Sequence, residues 1–212
     1  MGSSPKTYHL SSHDRQFLDL SFELAEKAFG LQEVPVGCVF VFNKNDSLNS
    51  DSNRGEESGI IVGRGCNETN LARNPTRHAE FVAIEEAERW CEKNGADFSE
   101  VMRQTTVYVT LEPCIMCASA LYQLKTKRII FGACNPRFGG IASVASNKEY
   151  GHAHEIELIP EIDADRSVAL LKRFYDRENP FAPEYKRKTK KKFNSDSPQS
   201  NNVNASEYSV KK

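Results

Sequence analysis

The sequence predicts an α/β fold with a mixed sheet and helices on both faces, and three observations predict it. Helix-like and strand-like segments alternate in the order α-β-β-α-β-α-β-β-α, which calls for helices on either side of one sheet. The run Thr105-Thr106-Val107-Tyr108-Val109-Thr110-Leu111 is β-branched and aromatic, as a buried strand should be. Residues Pro75 to Lys93 read as a helix whose Ala83, Ala87, Trp90 and Cys91 share one face, so that face belongs in the core.

Taken in order, Ser11-x-x-Asp14 has the form of a capping box opening a helix that runs to about Phe29. Phe17, Phe22, Leu24, Ala25, Ala28 and Phe29 give it a broad apolar face. Val36 to Phe42 and Ile60 to Gly65 read as paired strands, with the polar stretch 43–58 between them expected as a flexible insertion. In the helix that follows, Thr76 is the candidate cap and Asn94-Gly95 the stop, which puts His78 and Glu80 in the first turn. After the strand at 105–111, Pro113 suits the first position of a helix from Cys114 to Leu124. Lys127 to Ala133 and Glu155 to Ile159 are the remaining strands. Asp163 or Asp165 caps a last helix with Val168, Leu171, Phe174 and Tyr175 as its buried stripe.

The ends differ in character. Lys186, Arg187, Lys188, Lys190, Lys191 and Lys192 place six cations in seven residues. Residues 186–212 hold eight basic and two acidic side chains, a formal +6, so a whole-chain charge of −1 leaves −7 for residues 1–185. Such a segment is either a solvated or nuclear-import tail or an electrostatic arm for nucleic-acid phosphates. At 212 residues with 39% hydrophobic content, the chain can bury one domain, expected over 11–185. Residues 1–10 are then a flexible N-terminus and 186–212 a basic, disordered tail. Residues 1–10 lack the apolar core of a signal peptide, and Lys6 stands where a myristoylation motif needs Ser or Thr. No apolar run approaches membrane-spanning length. Six cysteines without framework spacing point to a reducing compartment, with cytoplasm and nucleus the expected locations.

Chemistry concentrates in a split constellation, His78-Ala79-Glu80 and then Pro113-Cys114-Ile115-Met116-Cys117. His78, Cys114 and Cys117 supply three zinc ligands, and Glu80 is a carboxylate that is not a ligand. Three protein ligands leave a catalytic zinc one open position, whereas a structural zinc is closed by four. The pattern H-x-E…P-C-x-x-C is the zinc-deaminase signature. Taken singly, His78 could be a surface histidine, Glu80 a carboxylate on the helix dipole, and the two cysteines a redox pair or half a zinc knuckle. Cys38, Cys66, Cys91 and Cys134 could in principle close a structural site but read as scattered buried cysteines. His152 and His154 have no metal-like neighbours in sequence, so one ion is expected. Two thiolates and a neutral imidazole cancel the charge of zinc and leave it a mild Lewis acid, so Glu80 is needed to take the proton of the attacking water.

Several segments carry a resemblance: Val34-Pro35-Val36-Gly37, Gly65-Cys66-Asn67, His78-Ala79-Glu80, Tyr108 through Ala118 and Phe131-Gly132. With them the chain resembles the tRNA-specific adenosine deaminases that act on the wobble base. Asn135-Pro136-Arg137-Phe138-Gly139-Gly140 and Phe174-Tyr175-Asp176-Arg177-Glu178-Asn179 are most similar to the catalytic subunit of the eukaryotic enzymes. The resemblance covers roughly residues 13–185. It implies a three-layer α/β/α sandwich of the cytidine-deaminase type and hydrolysis of adenosine to inosine in tRNA anticodons. It also implies pairing with a related deaminase-fold subunit that lacks the catalytic Glu. By position it assigns zinc to His78, Cys114 and Cys117, the proton shuttle to Glu80, and contacts with the flipped base to Asn67 and the Ala79 backbone. The resemblance implies tRNA as a partner; the electrostatic-arm reading of the basic tail would take its phosphates, and no membrane is expected. A free-nucleotide or cytosine-type deaminase shares the same zinc signature and is the alternative. A non-catalytic RNA-binding zinc subunit is a further one, against which the intact Glu80 argues.

Overall fold

Helix α1 (Ser12–Gly30) opens with the capping box expected for it. The Ser11 hydroxyl accepts from Asp14 N–H at 3.0 Å and the Asp14 carboxylate accepts from Ser11 N–H at 3.4 Å. Asp14 also accepts from the Tyr108 hydroxyl at 2.6 Å and from Arg128 at 2.5 Å, which ties the helix start to two strands. The computed structural model describes residue 8 and residues 10–43, 59–151 and 154–177. The basic cluster at 186–192, and all of the 43–58 insertion but Asn43, lie outside the described residues.

Five strands form one sheet in the order β2-β1-β3-β4-β5. These are β1 (Gly37–Phe42), β2 (Ile60–Cys66), β3 (Thr105–Leu111), β4 (Arg128–Ala133) and β5 (Glu157–Ile159). β1 pairs antiparallel with β2 and with β3, whereas β3, β4 and β5 run parallel, so the sheet is mixed as predicted. Both faces are covered, which is why the central strands read as nearly unbroken apolar runs. Cys38, Phe40, Val107, Val109, Ile129 and Phe131 face one helical layer, and Val39, Val41, Tyr108 and Ile130 face the other.

The first layer contains α2 (Ala79–Asn94), α3 (Phe98–Arg103) and α4 (Ile115–Gln123). Ala79, Ala83, Ala87 and Cys91 are buried on α2 as the periodicity requires, with Trp90 at the margin of the core. These small residues let the helix backbone lie against β2. A Cβ on Gly65 would stand 1.9 Å from the Ala79 carbonyl oxygen, and one on Gly63 2.2 Å from that of Ala83. The contact fixes the start of α2 beside the end of β2, which is where the functional residues gather.

The structure corrects several expectations. α2 begins at Ala79, not near Pro75, because the Asn74 side chain accepts from both Thr76 N–H and Thr76 Oγ and closes a turn there. His78 is therefore the N-cap itself and Thr76 caps nothing. α4 begins at Ile115 with Cys114 as N-cap, so Pro113 precedes the cap instead of occupying the first helical position. Two short helices, α3 and α5 (Asn147–Tyr150), interrupt the simpler element order. On α6 (Ala164–Asp176), Ser167 and Leu170 are the buried residues, while Val168 and Tyr175 are exposed. Ser167 sits there because the helix approaches the sheet closely: its hydroxyl donates to the Thr110 carbonyl at 2.6 Å, over Gly132.

Candidate metal centre and active-site cleft

His78 and Cys114 cap two different helices, and neither side chain makes a capping hydrogen bond. Both are consequently free to turn towards each other across the end of the sheet. Cys117 lies in the first turn of α4, three residues after Cys114, the offset at which a cap residue and a first-turn residue face each other. His78 Nδ1 is 3.5 Å from each sulfur, and the sulfurs are 3.6 Å apart. Tetrahedral zinc, with bonds of about 2.3 Å to sulfur and about 2.0 Å to nitrogen, would set such atoms about 3.5 Å (N to S) and about 3.8 Å (S to S) apart. The three side chains fit the ion. Among the described residues, these three form the one cluster of potential ligands. Cys38, Cys66 and Cys91 are buried elsewhere and Cys134 is half-buried on the cleft wall, as free thiols. Nor does His154 join a metal group: its Nε2 lies 3.0 Å from the Thr126 carbonyl.

The two sulfurs divide one negative charge: its hydrogen bond to Cys114, then burial, pushes the Cys117 thiol well up, and Cys114 carries the charge. The Cys117 thiol and the His78 ring, both hydrogen-bonded to Cys114, hold the Cys114 thiol at a pKa of about 4 despite burial. The Cys114 sulfur in turn raises the pKa of His78, outweighing burial. Glu80 is 3% exposed, beside but outside the ligand triangle. Burial, then the negative Cys114 sulfur, push its carboxyl up to about 7. A group with that balance can both take and return a proton near neutrality.

Asn67 is buried at the end of β2, and its side-chain oxygen accepts from Ala79 N–H at 2.9 Å. The two residues that the resemblance assigned to the substrate thus touch each other, and the Ala79 amide is held by Asn67. A cleft of about 740 Å3 opens over this centre, with Asn67, His78, Glu80 and Cys114 on its floor. Its lining also includes Val34, Val36, Thr69, the run Asn135 to Phe138, and Leu171 and Tyr175 from α6. Apart from the resemblance that named several of these segments, no local signal in the sequence placed them at the cleft.

Glu112, 1% exposed, anchors the segment 135–143, which begins on the cleft lining. Its carboxylate accepts from the N–H groups of Asn135 (2.7 Å), Ile141 (3.2 Å), Ala142 (2.7 Å) and Ser143 (2.9 Å), and from the Ser143 hydroxyl. Burial raises its pKa, but these donors prevail and hold the carboxyl below its ordinary value. A depressed folded-state pKa adds stability that is present above the unfolded value and disappears as pH falls through the folded one. Glu112→Gln is expected to lower unfolding stability by about 1–3 kcal/mol at pH 7, because an amide nitrogen then faces donors. The gap between variant and parent should close in acid. Denaturant melts of both proteins at pH 7 and below the ordinary carboxylate range check this, and a gap that widens in acid contradicts it.

A mixed sheet with three metal-ligating side chains at two helix starts, and a buried carboxylate beside them, defines a zinc-dependent deaminase. Residues 11–133 match the family described as the cytidine and deoxycytidylate deaminase zinc-binding region. The chain is 39% identical over 175 residues to tRNA-specific adenosine deaminase 2 of Xenopus tropicalis, covering 81% of this chain and 94% of the relative. It is 38% identical over 182 residues to tRNA-specific adenosine deaminase subunit tad2 of Schizosaccharomyces pombe, covering 85% of this chain and 42% of that one. A solved structure from studies of A-to-I editing by tRNA:A34 deaminases at the wobble position superposes with a TM-score of 0.58 at 27% identity, over 74% of this chain and 99% of that one. The chain belongs to the tRNA-specific adenosine deaminases, within the zinc-binding deaminase family.

Proposed function

We propose that the chain hydrolyses adenosine to inosine at the wobble position of tRNA anticodons, as the catalytic subunit of a heterodimer with a related deaminase-fold chain lacking the catalytic Glu. The observation that carries the reading is the ligand triangle with Glu80 buried beside it, in a chain alignable along nearly the whole of a tRNA-specific adenosine deaminase. Zinc on His78, Cys114 and Cys117 would supply a Lewis acid that activates water at the open position. Glu80 accepts the proton of that attacking water and delivers it to N1 of the purine as oxygen adds at C6. Glu80, a carboxylate again, then takes the proton of the new C6 hydroxyl and passes it to the amino group, so that the C6–N bond breaks, ammonia departs and the C6 carbonyl of inosine forms. Asn67, with its oxygen engaged by Ala79, has its amide group at the cleft floor to hold a base edge.

A polymer substrate suits the rim. Phe138 is 54% exposed with the Arg137 guanidinium 5.0 Å from its ring centroid, and Tyr175, which lines the same cleft, is 60% exposed. Aromatic and guanidinium surfaces of this kind stack unpaired bases. An anticodon-loop adenosine is already unpaired, so it enters the cleft at less cost than one drawn from a duplex. The description of the fission-yeast relative as a subunit supports pairing with a second chain.

Incubating the zinc-loaded chain, alone and with its partner, with wobble-adenosine tRNA and with free nucleosides tests the reading. Inosine at the wobble position is expected. Turnover of free nucleosides alone would indicate a nucleotide-type deaminase instead, and tRNA binding without turnover a non-catalytic subunit.

Lys186, Arg187, Lys188, Lys190, Lys191 and Lys192 are proposed to contact tRNA phosphates, which adds affinity without reading bases. Removing residues 186–212 is expected to raise the Kd for tRNA and flatten its salt dependence, while zinc content and turnover at saturating tRNA change much less. Titrations across a salt series decide: superimposable curves for the two proteins would mean that the segment does not bind tRNA.

A further inference from the structure

Glu33 is an acid with no exposed surface, and it is not part of the metal centre. It stands in the turn after α1, just before the segment Val34-Pro35-Val36. Its carboxylate accepts from three donors in the loop between β2 and α2. Asn70 N–H and Leu71 N–H reach Oε1 at 2.7 and 2.8 Å, and the Thr69 hydroxyl reaches Oε2 at 2.9 Å. On either side of Glu33, Asn70 Nδ2 donates to the Gln32 carbonyl at 3.3 Å and Asn67 N–H donates to the Val36 carbonyl at 3.2 Å. Residues 32–36 and 67–71 are thus laced together, with Glu33 at the middle of the seam.

An apolar side chain could fill the same space without the penalty of burying a charge. What it could not do is accept from two adjacent amides of an irregular loop and so pin that exposed loop from beneath. The loop so held forms one wall of the cleft, through Asn67 and Thr69, next to Val34 and Val36. Through the bond from Ala79 N–H to Asn67 Oδ1, it also braces the first residue of α2, between His78 and Glu80. Slack in the loop would reach the base contact and the start of the catalytic helix together.

We propose that Glu33 is a positioning residue for deamination: its carboxylate fixes the 67–71 loop and so sets where the target base lies relative to Glu80. The role rests on reading the cleft as the site where the base is deaminated. Misplacement of a reacting group by about 1 Å costs on the order of a hundredfold in rate, so this tether acts on the reaction without touching substrate.

The test uses the full-length, zinc-loaded chain with its deaminase partner, assayed well below the melting temperature of each variant. Glu33→Ala is expected to lower kcat/KM for tRNA by about 10- to 100-fold, with zinc content unchanged and faster amide hydrogen exchange at Asn70 and Leu71. Glu33→Gln should recover most of the loss, because its Oε1 still accepts both amides. A role in global stability alone would move the melting temperature but not kcat or KM at low temperature. Parental kinetics in Glu33→Ala, or Glu33→Gln as impaired as Glu33→Ala, would overturn the proposal. If Glu33→Ala does not fold, Glu33→Asp, whose shorter side chain draws the carboxylate back from both amides, carries the test. Lost exchange protection at Asn70 and Leu71 together with a lowered kcat/KM supports the tether, and lost protection with parental kinetics overturns it. If the unaltered protein deaminates no tRNA, the functional reading fails first. An active parent with a kinetically silent Glu33→Ala removes the positioning role alone.

Discussion

Glu80→Gln is expected to bind zinc and tRNA as the unaltered chain does and to deaminate slower by orders of magnitude. The substitution keeps the size of a side chain that is 3% exposed, so packing at the start of α2 should survive. What it removes is the site at which protons are taken up and returned. Losing one general acid–base group typically costs about 10²–10⁴-fold. Here the same carboxylate serves the attacking water, the ring nitrogen and the leaving amino group, so the loss should lie at or beyond the upper end. The nearby Cys114 and Cys117 cannot substitute, because both are committed as ligands. Single-turnover rates on tRNA, with zinc content and tRNA affinity measured on the same preparation, give the comparison. Near-parental turnover by a zinc-loaded Glu80→Gln protein would remove Glu80 from the mechanism.

How much of this could be read from the chain depended on how local each signal was. The capping box at Ser11 and Asp14, the strand at 105–111 and the alanine face of α2 are written in consecutive or helically spaced residues, and all three are found as expected. His78, Cys114 and Cys117 were legible because ligand chemistry restricts residue type so strongly. The start of α2 was misplaced because the Asn74 side chain captures Thr76, an interaction that competes with helix formation and leaves no periodic trace. The buried stripe of α6 was misread because hydropathy favours Val168 and Tyr175. Close approach to Gly132 instead selects the small Ser167, and Tyr175 turns to the cleft rim.

Glu33 and Glu112 show the deeper limit. Acidic residues read as surface from composition alone. Both are nonetheless buried, each made tolerable by donors 23 to 38 residues away in sequence. Two irregular loops need acceptors for their amides, and the fold delivers a carboxylate to each. The same economy explains Asn67, which resembles a turn asparagine in sequence but in the folded chain links β2 to α2.

The second large effect is expected at the ligands. His78→Ala or Cys114→Ala should abolish deamination by lowering zinc content, since two remaining side chains hold an ion far less firmly than three. The loss should also loosen local structure, because His78 and Cys114 are the N-caps of α2 and α4 and neither cap is otherwise anchored by a side-chain hydrogen bond. Cys91→Ala is the matched control: it removes a thiol that is 2% exposed on the same α2, but at the opposite end from His78. Its loss should cost on the order of 1 kcal/mol in packing and leave zinc stoichiometry and turnover intact. Metal analysis after gel filtration, paired with thermal melts in the presence and absence of added zinc, separates the two classes. Added zinc should raise the melting temperature of metal-depleted parent and Cys91→Ala protein, because an ion bound to the folded state alone stabilises it by mass action. It should do little for His78→Ala or Cys114→Ala. Full zinc occupancy in Cys114→Ala together with zinc loss in Cys91→Ala would show that the ligand set is wrong.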